Sequence, residues 1–204
     1  MIEGMRRMGI RRFTSVASLI AVTGALGACM MDASSLNDLT FSSARIVDEK
    51  EHPEIPWTGP QPQPSKPVLE VEFKSNVDLF AYAKMHEYEV GVSVYLCADG
   101  SHDKDKELLG SPYVYGSGGR IDAYSPSYSA GSGSIYRIYI EIKSEGVGVL
   151  HELGKKPFNY DLLTSADDVC FFIRGGSMNG GHFESNLVRV PRSALRDALD
   201  RSKR

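Results

Sequence analysis

"YEVGVSVYLC", residues 88–97, is the stretch whose reading decides the fold. Side chains of an extended chain point alternately to opposite faces. Tyr88, Val90, Val92, Val94 and Leu96 therefore share one face. The same period of two runs through "VLEVEF" (68–73) and "IYRIYIEIK" (135–143). In the latter, Ile138, Ile140 and Ile142 share a face, with Arg137, Tyr139, Glu141 and Lys143 opposite. "GVGVLHEL" (146–153), "DVCFFI" (168–173) and "NLVRVP" (186–191) are shorter runs of the same kind. Many short alternating segments, separated by Gly, Pro, Ser or Asp, are the signature of an antiparallel sandwich or barrel. No internal repeat and no alternation of strand with helix competes with it.

Two segments break the pattern. "PRSALRDALDRSKR" (191–204) reads as a terminal helix: Pro191 stops the strand, Ser193 is placed to cap, and Leu195 and Leu199 are four apart. "VDLFAYAKMHEY" (77–88) fits either a strand or a short helix. The expected fold is mainly β, an antiparallel β-sandwich with a short C-terminal helix, spanning residues 68–204.

Residues 29–67 read as a tether. Six of the ten prolines fall there, at positions 53, 56, 60, 62, 64 and 67. Proline-rich linkers favour extended polyproline II and act as semi-rigid spacers. Trp57 lies inside this stretch and is expected to pack on the edge of the domain.

Residues 1–28 have a different character. Arg6, Arg7, Arg11 and Arg12 form a basic start, and residues 13–28 are apolar or small and carry no charge. A helix needs about 20 apolar residues to cross a bilayer. This run is shorter and leads into Ser-rich sequence, the pattern of a signal peptide. Leu26-Gly27-Ala28-Cys29 resembles the lipobox of bacterial lipoproteins. The resemblance implies cleavage between Ala28 and Cys29 and lipidation of Cys29. Three acyl chains would anchor stably where one is marginal. In that family an Asp after the cysteine retains the protein at the inner membrane. Met30 stands there in this chain, so the resemblance implies a periplasm-facing protein anchored to the outer membrane.

Composition narrows the partners. The whole chain has 23 basic and 26 acidic residues, and removing residues 1–28 takes away four arginines and one glutamate, leaving a formal charge of −6. That balance argues against nucleic acid and against an anionic membrane surface as partners. Cys97 and Cys170 lie in strand-like runs. An oxidising compartment permits a disulfide between them; two separate buried thiols are the alternative.

No catalytic constellation is apparent. "IRGGSMNGGH" (173–182) has Ser177 after glycines, but Asn179 replaces the second glycine of a nucleophile elbow and no helix follows. A glycine turn in a hairpin accounts for it better. The five histidines have no metal-helix spacing, and no C-x-x-C pair occurs. "DGSHDKDKE" (99–107) lacks the glycine and bidentate glutamate of a calcium loop and reads as a solvated turn. No enzyme activity, cofactor or metal is expected.

Residues 113–136, "YVYGSGGRIDAYSPSYSAGSGSIY", stand apart: 16 of these 24 residues are Tyr, Ser or Gly. Antibody paratopes use this mixture, in which Tyr supplies amphipathic contact and Ser and Gly adapt the backbone. Tyr113, Tyr115, Arg120, Tyr124 and Tyr128 are the candidate partner-binding residues, against the alternative of a hairpin with tyrosines packed on the sheet. The strand-rich body, with its closing "CFFIRGGSM" (170–178) and "ESNLVRVPRSAL" (184–195), resembles small lipoproteins that act as immunity proteins. The resemblance implies inhibition of a toxin, often a phospholipase, delivered by a type VI secretion system. A structural accessory of an envelope or secretion complex and a glycan-binding lipoprotein are the alternatives.

Overall fold

Alternating apolar runs become strands, and the strands form two antiparallel sheets. The computed structural model describes residues 36–48, 50, 52, 66–98, 101–108, 110–124, 135–144 and 159–203, all within the unit Ala33–Arg204. In chain order the elements are β1 (Thr40–Asp48), β2 (Pro67–Lys74), α1 (Leu79–His86), β3 (Glu89–Ala98) and β4 (Ser101–Glu107). There follow β5 (Tyr115–Gly116), β6 (Gly119–Arg120), β7 (Ile135–Glu141), β8 (Lys143–Ser144) and β9 (Tyr160–Asp161). The chain ends in β10 (Asp168–Gly176), β11 (His182–Glu184), β12 (Val188–Val190) and α2 (Arg192–Ser202). One sheet has the order β1-β2-β7-β5-β6; the other is β11-β10-β3-β4, with β12 also beside β10. β8 and β9 pair separately. The mainly β, antiparallel expectation and the C-terminal helix hold.

The core lies between the sheets. Val90, Val92, Val94 and Leu96 of β3 and Val169, Phe171 and Ile173 of β10 meet Val71 and Phe73 of β2 and Tyr136, Ile138 and Ile140 of β7. The Phe73 and Phe171 rings, one from each sheet, are 5.2 Å apart. Burying one such side chain contributes about 1.5–3 kcal/mol. The opposite face of β7 is covered too: Tyr139 joins Tyr115 and Val68 in a second small cluster, with Val47 and Tyr113 at its margin. Tyr139 approaches His52 through its hydroxyl at 3.3 Å.

The sheets are joined at their edges. Between β4 and β5 the chain passes from one sheet to the other, bridging Gly91 with Tyr113 and Gly110 with Ile140. A Cβ at Gly110 would sit 2.4 Å from the Tyr139 carbonyl oxygen, so this crossing admits only glycine. At the far edge Asn186 binds the backbone of Leu39.

The ambiguous stretch 77–88 is helical. Asp78 settles it, accepting from the N–H groups of Phe80 and Ala81 at 3.0 and 3.1 Å. Leu79, Phe80 and Ala83 face the core, and the Leu79 N–H donates to the Tyr136 hydroxyl at 2.9 Å. The helix ends with Glu87 in the left-handed region at φ 55.

Three expectations are corrected. Residues 29–67 are not one tether: Thr40–Asp48 is a nine-residue strand paired along β2, and Leu36, Leu39 and Ala44 are core. The Pro-rich part from 53 to 65, with Trp57, lies outside the described residues, as does "GVGVLHEL". Ser193 does not cap α2. Pro191 occupies the cap position with no side-chain bond, and Asp168 accepts from the Arg192 N–H at 2.7 Å in its place. Most of the stretch read as a turn at 99–107 is β4, paired to β3. The hairpin expected at 173–182 is present as β10–β11.

Charged side chains lie on the outer face of the first sheet. Arg45 of β1 donates to Glu70 Oε1 of β2, whose side chain is fully buried and whose Oε2 has no hydrogen-bond partner. That bond to Glu70 outweighs desolvation and raises the Arg45 guanidinium above its usual value. Burial pushes the Glu72 carboxyl up, but bonds from Ser43 (2.8 Å) and Arg137 (3.2 Å) outweigh it and hold it below the usual range.

Candidate protein-binding surface

One end of the sandwich gathers several turns. The register places Gly176 of β10 opposite both Glu89 of β3 and His182 of β11. Glu89 bridges Asp122, and the Ala123 N–H donates to the Tyr88 carbonyl at 3.2 Å. α1 runs into this same end, because only Glu87 and Tyr88 separate it from β3.

Four rings pack together here. Tyr82 lies 5.3 Å from Phe183, edge-on, and Tyr88 lies 5.2 Å from Phe183. His86 is 4.7 Å from Tyr82 and stacks on Tyr88 at 5.2 Å. Phe183 is the buried base of the cluster; the other three are half-buried. Gly175 is required beneath it, since a Cβ there would meet Phe183 at 2.2 Å. Gly180, at φ 85, turns the β10–β11 hairpin.

Three large apolar side chains leave the chain beside this cluster and face water. Met85, 74% exposed, precedes His86. Tyr124, 73% exposed, follows the Ala123 that binds Tyr88. Met178, 96% exposed, sits in the turn whose Gly181 lies against the Tyr88 ring. Folding derives nothing from apolar groups placed this way, and exposed apolar patches mark interaction surfaces. Met adapts to irregular partners, and Tyr is a frequent binding hot spot.

The five residues taken from the sequence divide. Tyr124 is on this surface. Tyr113 is partly buried, and the Arg120 guanidinium lies over its ring at 3.4 Å. Arg120 also faces Asp122 at 3.2 Å and Glu89 at 3.4 Å, so its charge braces the β5–β6 hairpin. Tyr115 is corrected: at 1% exposure it is core, its ring against Tyr139 and its hydroxyl 2.9 Å from Ser111 Oγ. Tyr128 lies outside the described residues, as does Cys29. Sequence reasoning missed Met85, Met178 and the four rings. Met178 carried a legible signal, an apolar residue isolated in a glycine turn.

Cys97 and Cys170 form a disulfide, with Cα atoms 5.9 Å apart. Cys97 pairs in register with Asp168, and Cys170 with Tyr95, so the bond runs diagonally between β3 and β10. It ties together the two strands whose other ends carry the exposed surface.

Among the described residues no group of three or more His, Cys, Asp or Glu is arranged to hold a metal, and no helix is long and apolar enough to cross a membrane. Comparison with protein-family models, with curated proteins and with solved structures finds no match to the chain.

Proposed function

We propose that this chain is a periplasm-facing lipoprotein, anchored through Cys29 to the outer membrane, that binds a protein at the α1/β10–β11 end of its sandwich. The partner is a toxin, and the chain acts as an immunity protein against a lipase or phospholipase delivered by type VI secretion. One observation carries the binding reading: Met85 on α1 and Tyr124 and Met178 in two turns stand exposed beside the packed ring cluster of Tyr82, His86, Tyr88 and Phe183. A preorganised apolar surface of this kind lowers the ordering cost of association. The lipobox supports the place, and the resemblance of 170–178 and 184–195 to immunity lipoproteins supports the role.

The physical logic is local concentration. A toxin attacking periplasm-facing lipids meets an inhibitor tethered to the same membrane, which raises its effective concentration at the target. Deleting the gene and challenging the strain with sister cells tests the role. Killing of the deletion strain, reversed by the gene in trans, is the expected result. Survival equal to the parent's rules immunity out and leaves the envelope-accessory role. Binding of the purified protein to peptidoglycan alone points to the glycan-binding class.

A further inference from the structure

A second feature lies at the other helix. A cavity of about 390 Å³ opens between α2 and the 163–166 turn. Arg192, Arg196 and Lys203 line it, together with Leu163, Leu199 and a single carboxylate, Asp200. Lys203 and Asp200 pair at 3.8 Å. Among the described residues neither arginine side chain forms an ion pair within 4 Å: Asp168 pairs with Arg189 and Asp200 with Lys203.

Arg192 is held in place by neutral groups. Its Nη1 donates to the Leu162 carbonyl at 2.6 Å and its Nη2 to the Leu163 carbonyl at 3.0 Å. Its Nε is shut from solvent without an acceptor. Asp168, whose charge acts on Arg192, is engaged by the Arg189 side chain and the Arg192 backbone N–H. Arg196 stands one turn further along the same helix face. Burial, then the like charge of Arg196, pushes the Arg192 guanidinium below its usual value against the pull of Asp168. Two like charges at this spacing repel, and the cavity that they share holds three basic side chains against the one carboxylate of Asp200.

We infer that this cavity binds a phosphate group, carried by a small phosphate ester or by a lipid headgroup. Guanidinium groups match phosphate oxygens through paired N–H donors, and Arg192 is already oriented by its two carbonyl bonds. The volume exceeds that of a lone ion, and Leu163 and Leu199 offer an apolar wall for the remainder of the ligand. This inference is independent of the protein-binding surface, which lies on α1 and the β10–β11 hairpin.

The test is a titration of the full chain, held in nonionic detergent and followed by amide NMR. Three probes are compared: inorganic phosphate, glycerophosphoglycerol, and chloride at matched ionic strength. Saturable shifts at residues 163–166 and 192–203 with either phosphate probe are expected. Arg196→Gln should weaken them at least tenfold, and Lys203→Gln in the same direction, so the result does not depend on one variant folding. Tighter binding of glycerophosphoglycerol assigns the site to a lipid headgroup; tighter binding of inorganic phosphate assigns it to a free phosphate. Shifts that chloride reproduces, or that persist unchanged in both variants, overturn the inference.

Discussion

Asn186 binds Leu39 twice. Its Nδ2 donates to the Leu39 carbonyl at 2.9 Å, and the Leu39 N–H donates to its Oδ1 at 3.0 Å. The Asn186 N–H also donates to the Leu36 carbonyl at 3.1 Å. A side-chain amide thus supplies the donor and acceptor that a neighbouring strand would supply, 147 residues away in sequence. Asn186→Asp keeps the acceptor and loses the donor; Asn186→Ala loses both. An unpaired backbone group removed from water costs about 1–3 kcal/mol. Asn186→Ala should lower stability by about 2–3 kcal/mol and Asn186→Asp by less. Urea unfolding checks the ranking, and hydrogen exchange at residues 36–48 should rise in the same order.

The Cys97–Cys170 bond spans 73 residues of sequence. Losing such a cross-link removes about 2–5 kcal/mol. Cys97→Ala/Cys170→Ala should shift the denaturant midpoint by that amount, and dithiothreitol should shift the wild type but not the variant. Equal midpoints with and without reductant would show that the bond is absent.

Arg45 compensates a carboxylate that has no access to water. Arg45→Met leaves Glu70 buried and uncompensated, which costs about 3–5 kcal/mol. Adding Glu70→Leu removes the stranded charge and should recover most of the loss. A double-mutant cycle by thermal unfolding measures the coupling.

Glu72 sets an acid limit. Its carboxyl is held below the ordinary value of 4.5 by Ser43 and Arg137 despite burial. A group with a lowered folded pKa contributes stability above its unfolded pKa and loses it as pH falls through the folded one. Stability should therefore decline below pH 4.5, and Glu72→Gln should flatten that part of the profile while lowering stability at pH 7. Denaturant midpoints from pH 7 to pH 3 read both effects.

The sheets were legible because period two survives in the long strands. β3, β7 and β10 each place isoleucine, valine or phenylalanine at alternate positions. β1 was hidden. Of "TFSSARIVD" only Ala44 is fully buried, and a proline-rich stretch follows, so local composition favours a linker. Its place comes from partners far along the chain, β2 and Asn186. The same distance explains α2, whose capping carboxylate belongs to Asp168 and not to nearby Ser193. Tyr115 misled because a tyrosine among Gly and Ser resembles a contact residue. Its hydroxyl is taken by Ser111, four residues before it, and its ring by Tyr139. The exposed surface needed the fold, because Met85 comes from α1, and Tyr124 and Met178 from two separate turns.

The most direct test of the central claim is an affinity measurement. The toxin is the protein to which a strain lacking this gene becomes sensitive, and the titrant is the full chain or its Met85→Ala/Met178→Glu variant. Both are exposed positions, so the variant should keep the wild-type unfolding midpoint. Hot-spot losses of 2 kcal/mol or more correspond to a roughly thirtyfold or greater rise in Kd. The account predicts a saturable complex with the wild type and at least that loss in the variant. A toxin that does not bind the chain, or binds wild type and variant equally, would contradict it.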